Sequence, residues 1–211
     1  MNIPADTVPD KHDAKDTDMK SASSRNLYLA LIHYPVVNKK GETIASAVTN
    51  LDLHDIARAA RTYAVSSFYV VTPLEDQQLL VKKLILHWTE GGGGRYNPAR
   101  RDALETVRIA DSIEKVQADI RKERKREPRM IVTSARAYSG SLPFPAFRRI
   151  LRDDRPCLLV FGTAWGISPD FISAADHILE PLKGNSDYNH LSVRSAVSVI
   201  LDRLLGDREI V

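Results

Sequence analysis

Two glycine-bearing loops near the C-terminal end of this chain hold the residues best suited to chemistry. The first follows the apolar run Leu158-Leu159-Val160 and reads Phe161-Gly162-Thr163-Ala164-Trp165-Gly166. The second reads Glu180-Pro181-Leu182-Lys183-Gly184-Asn185 and passes through Tyr188-Asn189-His190-Leu191-Ser192 into the last helix-patterned stretch. Tight loops expose backbone N–H and C=O groups, and glycine lets another molecule approach them closely. Both loops can offer those groups to one flat, polar small molecule. Leu158 to Phe161, Leu182 and Leu191 would supply apolar walls for its ring faces. A single glycine turn serves equally well as a plain strand-to-helix connection, and Leu191 and Val193 also fit a helix core. The signal is the pair of loops rather than either one.

A second constellation lies at Asn50, Asp52, Asp55 and Arg58 on one helix-patterned stretch. A guanidinium suits bidentate contact with phosphate but is a poor base. A neighbouring carboxylate, Asp52 or Asp55, can take a proton instead. The competing reading is a surface ion pair of Arg58 with Asp52 or Asp55, worth little. A third is Gly91-Gly92-Gly93-Gly94-Arg95-Tyr96-Asn97-Pro98-Ala99-Arg100-Arg101. It lacks the Gly-Lys-Ser/Thr ending of a nucleotide phosphate loop. It reads either as a flexible linker or as an RNA clamp, with Tyr96 stacking a base and Arg95, Asn97 and Arg101 reaching the backbone. Arg136, after a strand end, would extend that surface. Residues 95–129 carry eleven Lys and Arg against seven Asp and Glu, densest over Arg121–Arg126. That is a solvated helix face or an attraction for RNA. His33 fits a satisfied buried histidine.

The elements that must position these groups alternate. Strand patterns cover Leu27–Tyr34, Phe68–Val71, Met130–Thr133, Leu158–Phe161 and His177–Leu179. Helical spacing covers 52–63, 75–89, 98–107, 112–126, 144–151 and 191–205, with a turn at Asn38–Gly41. Repeated β-then-α order predicts an α/β domain, a mostly parallel sheet with helices on both faces. Ligands of such sheets bind beyond the carboxyl ends of the strands, which is where both glycine loops fall.

The 211 residues suffice for one sizeable domain, and 43% hydrophobic content is ordinary for a globular chain. Residues 1–25, rich in Asp, Lys and Ser, read as a disordered tail ahead of a single domain at 26–211. The net charge of +3 is compatible with a nucleic-acid partner. The lone cysteine, Cys157, excludes an internal disulfide and argues against a zinc cluster, so no metal is expected. No apolar run is long enough for a membrane span, and no secretory leader is evident. These features point to the cytoplasm.

On Gly162 after its strand, Pro181-Leu182 closing another, and Asn189-His190-Leu191-Ser192-Val193 opening the last helix, the chain resembles the SPOUT class of RNA methyltransferases. It is most similar to the SpoU-like branch and to a bacterial subgroup described as SAM-dependent RNA methyltransferases. The likeness covers residues 26–211. His190 departs from the commonest motif, and Asp55 stands where the first motif usually has glycine. The resemblance implies a C-terminal trefoil knot that threads residues 183–211 through a loop. It implies S-adenosyl-L-methionine (SAM) as cofactor, with backbone atoms of Gly162, Leu182 and Leu191 holding its adenine and methionine parts. Phe161, Thr163, Gly166, Pro181, Asn189, His190 and Ser192 would complete the pocket. Arg58 would serve the acceptor, helped by Asn50, Asp52 and Asp55. The expected partners are an RNA substrate, tRNA or rRNA, and a second copy in a homodimer. The rival readings are a non-catalytic RNA-binding or regulatory protein retaining a SAM pocket, methylation of a base nitrogen with an Asp base, and an unrelated nucleotide-binding module.

Overall fold

The computed structural model describes residues 26–206, so the expected tail at 1–25 lies outside the described residues. At its centre is strand β1 (Leu27–Ile32), all six residues of which are buried. Its side chains divide by alternation. Leu27, Leu29 and Leu31 enter one apolar layer, and Tyr28, Ala30 and Ile32 enter the other. A strand buried on both faces has no polar side to show, so its sequence reads as an unbroken apolar run.

β1 pairs in parallel with β4 (Ser67–Val71) on one side and with β7 (Cys157–Gly162) on the other. Leu29 stands opposite Phe68 in one register and Leu159 in the other. With β5 (Val107–Ala110), β6 (Arg129–Val132) and β8 (His177–Ile178) the sheet order is β5-β4-β1-β7-β6-β8. All five pairings are parallel. The chain builds outward from β1 to β5, then crosses to fill the other side. The order therefore reverses between β1 and β7, and a crevice opens there at the carboxyl edge.

Helices α1 (Asn50–Thr62), α2 (Glu75–Thr89), α4 (Pro98–Leu104), α6 (Phe144–Ile150) and α8 (Val193–Leu205) send side chains into the first layer. Helices α5 (Ile113–Arg124) and α7 (Pro169–Ser173) feed the second. The expected α/β architecture with helices on both faces is present. Thr49, Asn97, Ser112 and Ser192 each accept a bond from a first-turn amide and start α1, α4, α5 and α8.

Several boundaries differ from the sequence reading. β1 ends at Ile32 rather than Tyr34, and a cis Tyr34–Pro35 bond follows. The Asn38–Gly41 turn closes a small hairpin in which β2 (Val36–Val37) pairs with β3 (Thr43–Ile44). The helix expected over 98–107 stops at Leu104, and β5 follows. Half of β5 is buried at the sheet edge, too little to leave a clear apolar run. The four glycines are no flexible linker. Gly92 opens a short helix, α3 (Gly92–Tyr96), packed on the end of α2. A Cβ on Gly94 would strike the Trp88 carbonyl oxygen, and one on Gly91 would lie 2.5 Å from the His87 carbonyl oxygen.

Backbone cannot move aside as a flexible side chain can. Gly94→Ala should therefore lower the urea-unfolding free energy by about 1–3 kcal/mol, the usual cost of overpacking. The same change at Gly92, whose Cβ meets nothing within 4 Å, should cost far less.

Candidate functional site

The glycine turn sits at the β1/β7 crevice, with Gly162 in register with Ile32. A Cβ on Gly162 would collide with the Ile167 side chain, so close packing demands glycine there. Ala164 and Gly166 both take positive φ, and Gly166 N–H closes the turn on the Thr163 carbonyl at 3.0 Å. The hairpin grips the turn from outside. Trp165 N–H donates to Val37 O at 3.0 Å, and Val37 N–H donates to Gly166 O at 2.9 Å. The backbone groups of Gly166 are thus spent within the protein. Phe161 is buried in the first apolar layer, so its side chain is core rather than pocket surface.

A hydrogen-bond chain runs beneath the turn. Thr163 Oγ1 donates to the Ile32 carbonyl at 3.1 Å, Ser46 Oγ lies 2.5 Å from Thr163 Oγ1, and His33 Nδ1 lies 3.0 Å from Ser46 Oγ. The carbonyl can only accept, so a consistent assignment runs His33 N–H to Ser46, Ser46 to Thr163, and Thr163 to Ile32. His33 Nε2 is then a bare acceptor, fully buried and without a hydrogen-bond partner. His33 is buried as expected but satisfied on one nitrogen only. Burial pushes its pKa down to about 4, against the opposing pull of the Asp52 charge.

The second loop follows β8 and is anchored to β6 and α6. Leu179 N–H bonds Val132 O at 2.8 Å, and Glu180 accepts from Phe144 N–H at 2.7 Å at the start of α6. Pro181 is buried, and Leu182 packs on the first layer. Asn189 donates its side-chain amide to Ala135 O at 2.8 Å, tying the loop to the segment that carries Arg136. His190 rests edge-on against Tyr188, and Leu191 is 51% exposed. Among the described residues, the backbone groups of Leu182, Asn189, His190 and Leu191 enter no hydrogen bond. Free donors and acceptors beside exposed leucine fit an adenine edge and ring face. Ser192 is occupied as the α8 cap, where its hydroxyl accepts from Ser195 N–H.

Helices α1 and α8 flank a shallow groove of about 530 Å³ lined by Asp55, Arg58, Arg194 and Ser195, among others. Arg58 is exposed and makes no ion pair among the described residues. The carboxylates pair instead with Arg194, which sequence reasoning passed over: Nη1 to Asp52 at 3.3 Å and Nε to Asp55 at 3.4 Å. Asn50 opens α1 and is exposed.

The remaining predicted residues divide. Tyr96 is 91% exposed and Arg95 is exposed beside it, both free to meet a partner. Asn97 is spent capping α4 (3.0 Å to Arg100 N), and Arg101 pairs with Glu105 at 2.9 Å. This segment borders α1 through Arg61–Asp102 at 2.8 Å and the edge contact of His54 with Trp88. Arg121–Arg126 closes α5 on the opposite face and leads into the start of β6, away from the carboxyl edge. That dense basic run is therefore not part of this site.

A family model described as SAM-dependent RNA methyltransferase matches residues 26–206. A protein of Oleidesulfovibrio alaskensis named tRNA (guanine-N(1)-)-methyltransferase is 47% identical over 87% of this chain, but the match spans only 43% of that protein. The chain thus covers less than half the length of such curated relatives. An Aquifex aeolicus protein without an assigned function is 43% identical over 87% of this chain and 90% of its own length. Among solved structures, a methylase family protein of Neisseria gonorrhoeae superposes with a TM-score of 0.58 at 18% identity, covering 87% of this chain and 83% of that one. The SpoU methyltransferase AviRb of Streptomyces viridochromogenes, in complex with AdoMet, gives 0.50 at 14%, covering 84% and 56%. At these identities the two structures establish a shared fold.

The buried histidine yields a pH test. The unfolded chain takes up a proton near pH 6.5 that folded His33 refuses until about pH 4. Its contribution is intact above pH 6.5 and is lost progressively as pH falls toward 4, by about 3 kcal/mol in total. Urea unfolding of wild type and His33→Gln between pH 7.5 and 4.5 should show a stability difference that shifts against wild type as pH falls. Parallel pH profiles would contradict the assignment.

Proposed function

We propose a function from one premise: the chain belongs to the SAM-dependent RNA methyltransferase family. On that premise the protein transfers a methyl group to RNA. The observation that carries the reading is the unpartnered backbone of Leu182 and Asn189–Leu191, in a loop tied to the end of β6 by Asn189 and running directly into Arg194 of the arginine-lined groove. Leu182, Asn189, His190 and Leu191 hold the cofactor through backbone groups, Gly162 lets Ile167 pack against the turn, and Thr163 fixes the turn. SAM, when bound, supplies an electrophilic methyl on its sulfonium. The acceptor oxygen or nitrogen of the RNA forms a bond to that carbon as the carbon–sulfur bond breaks, and the acceptor's proton must leave. The chain's task is alignment and removal of that proton. Arg58, uncommitted within the groove, holds RNA phosphate. Asp55, which lines the groove, and Asp52 behind it on α1 are the carboxylates offered to the proton, and Asn50 is exposed at the start of α1. Arg95, Tyr96 and Arg136 extend the RNA surface; Asn97 and Arg101 serve it through the fold of their segment.

The names of the curated relatives support tRNA as the first RNA to test and a guanine ring nitrogen as the first acceptor. Two further features belong to this reading. The chain passes from β8, at the sheet edge, back across the sheet to α8 beside α1, where Tyr63 bonds Asp202 at 3.0 Å and Asn189 is tied beside the β6 loop. That path supports a C-terminal trefoil knot. Leu51, Leu191 and Val199, exposed on and beside α1 and α8, support a homodimer formed over this face. No helix among the described residues is long and apolar enough to cross a membrane.

Tritium transfer from labelled SAM to total cellular RNA, followed by nucleoside mapping, tests the proposal. Wild type should label RNA. Arg58→Ala should lower the rate about 10- to 100-fold, as expected for loss of a phosphate-orienting guanidinium. An unchanged rate removes Arg58 from the acceptor side, and no transfer by wild type to any RNA favours the non-catalytic binder.

A further inference from the structure

We propose that Arg194 is a positioning residue that couples the cofactor loop to helix α1, an inference resting on the reading that residues 182–192 hold SAM. Arg194 occupies the first turn of α8, two residues beyond the Ser192 cap and three beyond Leu191. A cation is the disfavoured sign at a helix N-terminus, where unpaired amides already present positive charge. A second cation, Arg58, lines the same groove. Two carboxylates from another helix offset both penalties. Arg194 Nη1 reaches Asp52 Oδ1 at 3.3 Å and Nε reaches Asp55 Oδ2 at 3.4 Å.

Asp52 is the tighter end of this clasp. Its side chain is only 11% exposed, and its other oxygen accepts the Thr49 hydroxyl at 2.6 Å. Both carboxylate oxygens are therefore engaged, one by the helix cap of α1 and one by the first turn of α8. Removing Arg194 leaves a largely buried carboxylate half unpartnered and frees the first turn of α8 from α1. Leu191 and His190, directly before that turn, then lose the anchor that holds their end of the loop to α1. The clasp has a second consequence. With Asp52 and Asp55 held by Arg194, neither neutralises Arg58, which stays available for phosphate. Lysine is a poor substitute, because a single ammonium cannot present two separately aimed N–H groups to two carboxylates.

The test is a double-mutant cycle in SAM affinity by calorimetry, using the full chain, with thermal midpoints recorded on the same samples. Arg194→Gln and Asp52→Asn should each weaken SAM binding about five-fold, a change typical of a partly exposed ion pair. The double variant should bind no more weakly than either single one, because the two changes break one link. Arg194→Lys should recover part of the loss. Single variants that lose thermal stability but keep wild-type SAM affinity would make the clasp merely structural and overturn the inference. So would losses that add in full. A wild-type protein that fails to bind SAM overturns the cofactor reading itself, and the inference with it.

Discussion

Everything in the site depends on the pairing of β1 with β7. That ladder sets Ile32 against Gly162 and opens the sheet's crevice where strand order reverses. The Thr163 hydroxyl sits on the Ile32 carbonyl, and through Ser46 the turn is bound to His33 at the end of β1. The ends of β1 and β7, far apart in sequence, are thus joined through Ser46 by side-chain bonds at the place where a parallel sheet leaves room for a ligand. The hairpin β2–β3 completes the support by holding the outer backbone of Trp165 and Gly166. A turn fixed on both sides can act as a rigid wall, which a pocket built from backbone groups requires.

The second loop is built differently. The loop from Leu182 to Leu191 has few bonds of its own and is held at its ends. Leu182 packs on the first layer, Asn189 bonds Ala135, and Arg194 clasps Asp52 and Asp55. The contrast gives the site a stiff half and an adaptable half. On the proposed reading, one loop serves both a cofactor and the acceptor groove. The backbone before Ser192 faces the first task, and the side chains after it face the second.

Much of the fold was legible in the sequence. Buried parallel strands such as Leu27–Ile32 and Cys157–Gly162 read as apolar runs, and helical spacing located α4, α5 and α8. The edge strand Val107–Ala110 was hidden, since an edge needs little apolar surface and follows directly on a helix. The four glycines misled for a physical reason. Glycine marks both a flexible linker and a tight helix contact, and only the nearness of the Trp88 and His87 backbone separates the two. The basic run at Arg121–Arg126 stayed open between a solvated face and an RNA surface, because a charge count says nothing about which face of the sheet a helix covers. In the site, the glycine turn and the second loop were visible as motifs. Gly166 and Phe161 were not separable from their neighbours until the hairpin bonds and the core were known. Arg194 carried one signal, a cation in a helix's first turn, but its partners stand 142 and 139 positions away in sequence and no local pattern names them.

The central claim is that the 182–191 backbone, set against the β7 turn, receives SAM. A two-dimensional amide NMR titration of the labelled chain with SAM tests it most directly. The account predicts large, saturable shifts at Leu182, His190 and Leu191, with small ones at Trp165 and Gly166, whose N–H groups are already bonded within the protein. Saturable shifts confined to another part of the molecule, or none at millimolar SAM, would contradict it.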